Sequence, residues 1–212
     1  MSASAPPARN RFERRRAETR QALIRAARQI LAESGDTSAS IQAIAERADV
    51  GFGSFYNHFT SKAELFDAAV ADALHEYGQA IDEHLRGIQD PAEVMAASFR
   101  IAARLAMTHP EVTQILRHRG LQHVHSEIGL APRALRDVEE GVASGRFDVP
   151  DPLVALSALG GGQLALLELK SARPDVSGDE AAADMAEMIL CMLGLPREEA
   201  REVARRPLPA LD

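Results

Sequence analysis

Residues 41–62, IQAIAERADVGFGSFYNHFTSK, constrain this chain more than any other stretch. Ile41, Ile44, Ala45 and Ala48 fall at helical spacing on one face. Phe52, Phe55, Tyr56 and Phe59 do the same after a break at Asp49-Val50-Gly51. A break this short is a tight turn, and Gly51 is expected to take the positive φ that a sharp helix-to-helix turn demands. Ala45 is small where the second helix has to cross the first. Ser61 and Glu64 read as a capping box, so a further helix should start near Lys62. A cation in a first helical turn opposes the macrodipole. It is favourable there if an anion binds, since a helix N-terminus is itself an anion site and a DNA phosphate is the obvious candidate. The plain alternative is an exposed, indifferent lysine.

Two short helices joined in this way form a helix-turn-helix, whose second helix enters a DNA major groove. The run from Val50 through Gly51, Phe52, Gly53, Ser54, Phe55, Tyr56, Asn57, His58, Phe59, Thr60 and Ser61 to Lys62 follows Ile44-Ala45 and precedes Leu65-Phe66. It resembles the DNA-binding domain of TetR-type repressors, with the pattern G-x-x-Y-x-H-F-x-x-K after an I-A helix. The resemblance covers residues 14–66. It implies an all-α homodimer with an N-terminal three-helix helix-turn-helix domain. A larger antiparallel helical domain for ligand binding and dimerisation would follow.

The resemblance also places the second short helix, about 52–59, in the groove, with Tyr56 and His58 touching the DNA backbone. Gln42 can reach a phosphate or a base edge, and Ser54 and Asn57 can hydrogen-bond either. Phe55 and Phe59 are expected to face inward. Two departures stand out. Gly51 and Phe52 replace a pair that is often polar or basic, leaving Phe52 only apolar contact such as a thymine methyl. Thr60 stands where Pro is frequent, which costs some turn rigidity.

Bulk composition fits a DNA binder once it is divided. The net charge is −7, but residues 1–62 carry about +4 and the remainder about −11. The positive end coincides with the helix-turn-helix, as a phosphate-binding surface requires. Apolar residues make up 46% of the chain while aromatic ones are only 4%, which suits close-packed helices. One cysteine, Cys191, excludes an internal disulfide and fits a reducing cytoplasm. The N-terminus lacks the apolar segment of a secretory signal. The longest uncharged run, 152–167, is shorter than a bilayer span and reads as a buried helix of a soluble protein, with no membrane partner.

The expected organisation is a disordered arm over 1–10, a DNA-binding domain over 11–66, a ligand-binding and dimerisation domain over 67–196, and a frayed tail over 197–212. Arg9 and Arg11 with Arg14, Arg15 and Arg16 would add phosphate contacts; a merely solubilising tail is the alternative. The first helix spans about 12–34, with Leu23, Ala27, Ile30 and Leu31 on one face and Gly35 ending it. Ser38 or Ser40 would cap the second helix, and Ser40 is also a candidate DNA contact. A long helix from Lys62 to about Leu85 begins in the DNA-binding domain and ends in the body, so it can transmit a tilt. Helices are expected at about 92–108 and 111–118, then one holding Val124, Ile128, Leu135, Val138 and Val142, with Gly120 breaking the chain before it and Gly129 and Pro132 interrupting or kinking it. Two closing helices span 150–171 and 179–195.

Glycines 160–162 cost helix propensity, on the order of 1 kcal/mol each. Their presence in mid-helix points to a close approach there by a partner helix or a ligand. The resemblance puts the dimer interface on the closing pair, for which Leu156, Leu159, Met185, Met188 and Met192 are candidates; a purely intramolecular core is the alternative. Phe99, Met107, Leu116, His118, Gln163 and Leu167 are candidate pocket residues, apolar walls with a few polar anchors. His109, His118, His123 and His125 lack the spacing of a metal site, and neither metal nor cofactor is expected. No phosphate loop or nucleophile elbow marks an enzyme. The reading is a cytoplasmic, ligand-responsive repressor that binds a palindromic operator as a homodimer and is released by a small, mostly apolar effector. The alternative keeps the DNA binding but has no effector, and it predicts a collapsed body.

Overall fold

The computed structural model describes residues 11–35 and 37–209, which are helical with no strand. The arm expected over 1–10, including Arg9, lies outside the described residues. The chain divides into two compact units, Met1–Val70 and Ala71–Asp212.

In the first unit, α1 (Arg11–Ser34) buries Leu23, Ala27, Ile30 and Leu31. It ends where Gly35 turns to φ 69° and returns its N–H to the Leu31 carbonyl at 2.9 Å. Next, α2 (Ile41–Arg47) is capped by Ser40, whose hydroxyl accepts from the Ala43 N–H at 3.1 Å. The turn after it departs from the sequence expectation. Gly51 is extended at φ −63°, ψ 142°, and the left-handed residue is Asp49 at φ 53°. Asp tolerates that region because its short carboxylate is sterically modest there. The helix α3 (Phe52–Phe55) is shorter than expected and closes in a tighter turn, with the Phe55 carbonyl accepting from His58 and Phe59. Phe55 and Phe59 are buried with Ile44, Ala45, Leu65 and Phe66.

The helix α4 (Lys62–His84) begins in the first unit and ends in the second. Its capping box is shifted by one residue. Ser61 Oγ accepts from the Glu64 N–H at 3.1 Å, but the Glu64 carboxylate reaches back to Thr60, not Ser61, accepting from its N–H at 2.7 Å and its hydroxyl at 2.6 Å.

The second unit adds α5 (Pro91–Thr108), α6 (Pro110–His123), α7 (Ala131–Ala143), α8 (Pro152–Ala172), α9 (Gly178–Met192) and α10 (Arg197–Ala204). Met95, Phe99, Val138, Phe147, Leu190 and Leu193 form the centre of its core. Two expectations are corrected here. Gly120 does not break α6, because tertiary packing uses the missing side chain: a Cβ there would sit 2.5 Å from a Leu164 methyl of α8. The interruption expected at Gly129 is there, at φ 79°, and Val124 and Ile128 fall in the connection before α7. The expected frayed tail is instead α10, which buries Ala200, Val203 and Ala204. Arg206 secures the end by pairing with Glu93 at 2.8 Å.

In α8 the three glycines do not interrupt the helix. Gly160 meets the close approach expected of it, since a Cβ would lie 2.8 Å from Val124, whereas Gly161 faces open space. By length and composition α8 could cross a membrane, yet Leu156, Leu159, Leu166 and Leu167 are buried within the unit.

Candidate nucleic-acid interface and internal cavity

Around α3 the first unit presents short polar and aromatic side chains above a closed apolar core. Phe52 and Tyr56 are 52% and 57% exposed and meet edge to face at 5.9 Å. Exposed aromatic rings in a small unit are unusual unless a partner covers them. Asn57 and Gly51 are exposed, Ser54 and His58 half-buried. Arg14, Arg15 and Arg16 are exposed on α1, with Arg14 paired to Glu18 at 3.5 Å. Arg16 Nη2 approaches the Asn57 carbonyl at 3.5 Å, and Arg20 lies over the Phe59 ring at 5.0 Å. His58 sits beside these cations: burial, then Arg16 and Arg20, hold its pKa below the usual 6.5. Gln42 donates to Glu46 at 3.0 Å on the exposed side of α2. Lys62 is not an idle cation. Its ammonium donates to the Ala39 and Ser38 carbonyls at 3.0 and 3.3 Å, tying the start of α4 to the loop before α2.

The second unit holds a cavity of about 140 Å³ that is partly open to its surface. Leu74 and Ile81 of α4, Phe99 of α5, Leu116 of α6 and Leu156 and Leu159 of α8 give it apolar walls. Polar groups break that wall at few places. Asp137 of α7 is only 8% exposed. Burial pushes its carboxyl above the usual 3.8, against the pull of Arg136, which donates to it at 2.7 and 3.0 Å. Arg133 also lines the cavity but is engaged, donating to Asp82 at 2.8 Å and to the Gly129 carbonyl at 2.7 Å. Gly78 makes room for that guanidinium, since a Cβ there would meet it at 2.8 Å. Ser98 and Gln163 line the cavity with buried polar atoms that have no protein partner.

Of the pocket candidates, Phe99, Leu116 and Gln163 line this cavity, whereas Met107, His118 and Leu167 do not. His118 and Met107 are exposed, and Leu167 is buried elsewhere. Among the histidines only His123 faces the cavity; His125 Nε2 meets the Ser157 hydroxyl at 3.0 Å. Among the dimer candidates, Leu156 and Leu159 are buried cavity residues, so they cannot form an outer face. The outward stripe of α8 is instead Val154, Ala158, Ala165 and Leu169. Met188 and Met192 are exposed on α9, and Met185 is half-buried against the core. Sequence reasoning passed over Asp137, Ser98 and Arg133. The signal for Asp137 was there: Ala134, Asp137, Val138 and Gly141 share one helical face, and an acid inside an apolar stripe is seldom idle.

Comparison with known proteins agrees with this architecture. Residues 23–69 match the family of bacterial regulatory proteins, tetR family, and residues 90–206 match the tetracyclin repressor-like C-terminal domain. RolR (NCGL1110) bound to resorcinol is 35% identical, covering 93% of this chain and 98% of its own, with a TM-score of 0.75. Ligand-free RolR is 33% identical over 91% of this chain and 100% of its own, with a TM-score of 0.76. A regulator assigned to the tetR family from Shewanella sp. PV-4 shares the fold at 18% identity and a TM-score of 0.72, over 84% of this chain and 99% of its own. No curated protein sequence matches. With a family model spanning more than half its length and a relative alike over nearly all of it, the chain belongs to the TetR family of bacterial transcriptional regulators.

Proposed function

We propose that this regulator is a cytoplasmic, homodimeric repressor that holds a palindromic operator and releases it when a small hydroxylated aromatic enters the cavity. The carrying observation is the cavity itself, an apolar chamber with one buried carboxylate. Its 140 Å³ is close to the roughly 150 Å³ of an engineered protein cavity that takes up benzene. A phenol hydroxyl would donate to Asp137 while the ring packs on Phe99 and Leu116. The likeness to resorcinol-bound RolR supports the same class of ligand. The protein acts by binding, not by turnover.

On the DNA side, Tyr56, Asn57, Ser54 and Phe52 would read the groove, and Arg14, Arg15, Arg16 and Lys62 would meet phosphates. Two such heads are needed for a palindrome, and exposed apolar residues of α8 and α9, Val154, Leu169, Met188 and Met192, offer a surface for pairing. Coupling would run along α4, which starts with Lys62 and carries Asp82 near its far end. A ligand and an operator that prefer different conformers weaken one another by the same factor. The effector-free reading, an interaction factor with a collapsed body, is disfavoured by the cavity and its unpartnered polar atoms.

The test is a matrix of phenols against operator fragments on the purified protein, read by calorimetry and by mobility shift. Release of a palindromic fragment by resorcinol or a related phenol is expected. Operator binding indifferent to every phenol would overturn the effector, and a monomer in solution would overturn the two-headed grip.

A further inference from the structure

Inside the cavity, the polar groups of α5 and α8 are in a different state from those of α7. Asp137 takes both arms of Arg136 on its Oδ1 alone, and Arg133 is paired with Asp82. Ser98 Oγ and both amide atoms of Gln163 are buried and have no protein partner. An unpaired buried amide is costly, and such groups are kept where something else completes them. Both residues line the same cavity, from different helices.

Resting on the phenolic reading above, we infer that the effector carries a second neutral polar group, one that donates and accepts hydrogen bonds at once, and that Gln163 and Ser98 read it. The amide sets this requirement, because Oε1 only accepts and Nε2 only donates. A hydroxyl meets it by donating to Oε1 while accepting from Nε2, and a carboxamide meets it with its two ends. A methyl leaves both amide atoms unpaired. A carboxylate can only accept, and among the described lining residues the one arginine, Arg133, is already engaged with Asp82 and the Gly129 carbonyl. The selected class is therefore the dihydroxybenzenes and hydroxybenzamides, over cresols and hydroxybenzoates. Gln163 and Ser98 are the residues that set the selection.

Calorimetric titration of the full-length protein with resorcinol, 3-methylphenol and 3-hydroxybenzoate tests this. The first two differ only in the second substituent. Wild type should bind resorcinol about tenfold or more tightly than 3-methylphenol, the range expected when a buried polar pair is left unmade. It should also discriminate against 3-hydroxybenzoate. Gln163→Leu should bring the resorcinol to 3-methylphenol ratio near one by weakening the first and tightening the second, and Ser98→Ala should move it in the same direction by less. Helicity and melting temperature report whether each variant folds, and the wild-type ratio needs no variant. Equal wild-type affinities for the two ligands would overturn the inference while leaving the phenolic reading intact. An unaltered ratio in folded Gln163→Leu would do the same. Absence of binding by any phenol would overturn both.

Discussion

Arg133 of α7 donates its Nε to the Asp82 carboxylate of α4 at 2.8 Å. Both residues line the cavity, and Asp82 belongs to the helix that begins with Lys62. The pair is therefore placed to pass a change at the ligand to α4. Gly78→Ala would push the guanidinium aside at the expense of its bonds to Asp82 and the Gly129 carbonyl, because a Cβ at that position lies 2.8 Å from this far end of a flexible side chain. Gly78→Ala and Asp82→Asn should each reduce the ratio of phenol affinities measured without and with operator, at least severalfold for a coupling of ordinary size. An unchanged ratio would remove this pair from the coupling path.

In the reading head, Tyr56→Ala and Asn57→Ala should abolish operator binding while leaving the melting temperature close to wild type, because both side chains are exposed. Arg16→Ala should weaken all DNA fragments alike and lower the slope of log affinity against log salt by about one. Lys62→Met should also loosen the head, since its ammonium holds two carbonyls of the loop before α2. His58 is held below 6.5 in the free protein, and a phosphate beside it would raise that value again. Operator affinity should then rise as pH falls below 6.5, and His58→Gln should flatten the rise.

Acid should act oppositely on the effector. Burial raises the Asp137 carboxyl above 3.8, and a phenol hydroxyl is held more strongly by the ionised form than by the neutral one. Phenol affinity should therefore fall as pH drops through that raised value, and Asp137→Asn should weaken binding and remove the pH dependence. Titrations across the acid range with both proteins decide the matter.

Asp90 is the junction of the second unit. It caps α5 by accepting from the Ala92 N–H at 3.1 Å and accepts both arms of Arg146 at 2.8 and 3.2 Å, while Arg146 also holds Glu199 of α10 at 2.7 Å. Loss of the cap alone costs about 1–2 kcal/mol, so Asp90→Ala should lower the melting temperature by several degrees. The Arg146 hydrogen bonds keep the Asp90 carboxyl below its usual 3.8. A depressed acid stabilises the fold above its unfolded value, so this contribution should be complete above pH 3.8 and lost as pH falls through the folded value. The acid limb of a stability–pH curve should be flatter in Asp90→Ala.

Gly120→Ala tests the cavity wall. Its Cβ would meet a Leu164 methyl at 2.5 Å, and Leu164 lines the chamber. Displaced inward, Leu164 should shrink the space and weaken resorcinol more than it weakens unsubstituted phenol, by calorimetry. Equal effects would mean that Leu164 moves away from the ligand.

The DNA-binding unit was legible because its signals are local. Residues 49–64 hold their turn, cap and apolar spacing within a few helical turns, and the departures there are small: Asp49 in place of Gly51 bears the positive φ, α3 is shorter, and Glu64 reaches Thr60. The second unit was less so, because its decisive features are made by distant partners. Gly120 looks like a breaker until Leu164 is placed against it. Residues 197–204 look like a charged tail until Ala200 and Val203 are buried. Leu156 and Leu159 read as an interface until the cavity between helices claims them. Periodicity marks an apolar side chain as covered, but it does not say whether a core, a ligand or a second subunit covers it.

Room for a single ring has a further consequence. In a chamber of about 140 Å³ one methylene is a noticeable share of the whole, so exchanging one wall residue such as Phe99 or Leu164 is enough to admit a larger aromatic or refuse the present one. A regulator that works as proposed would change its ligand at these walls while the residues of α3 stayed as they are.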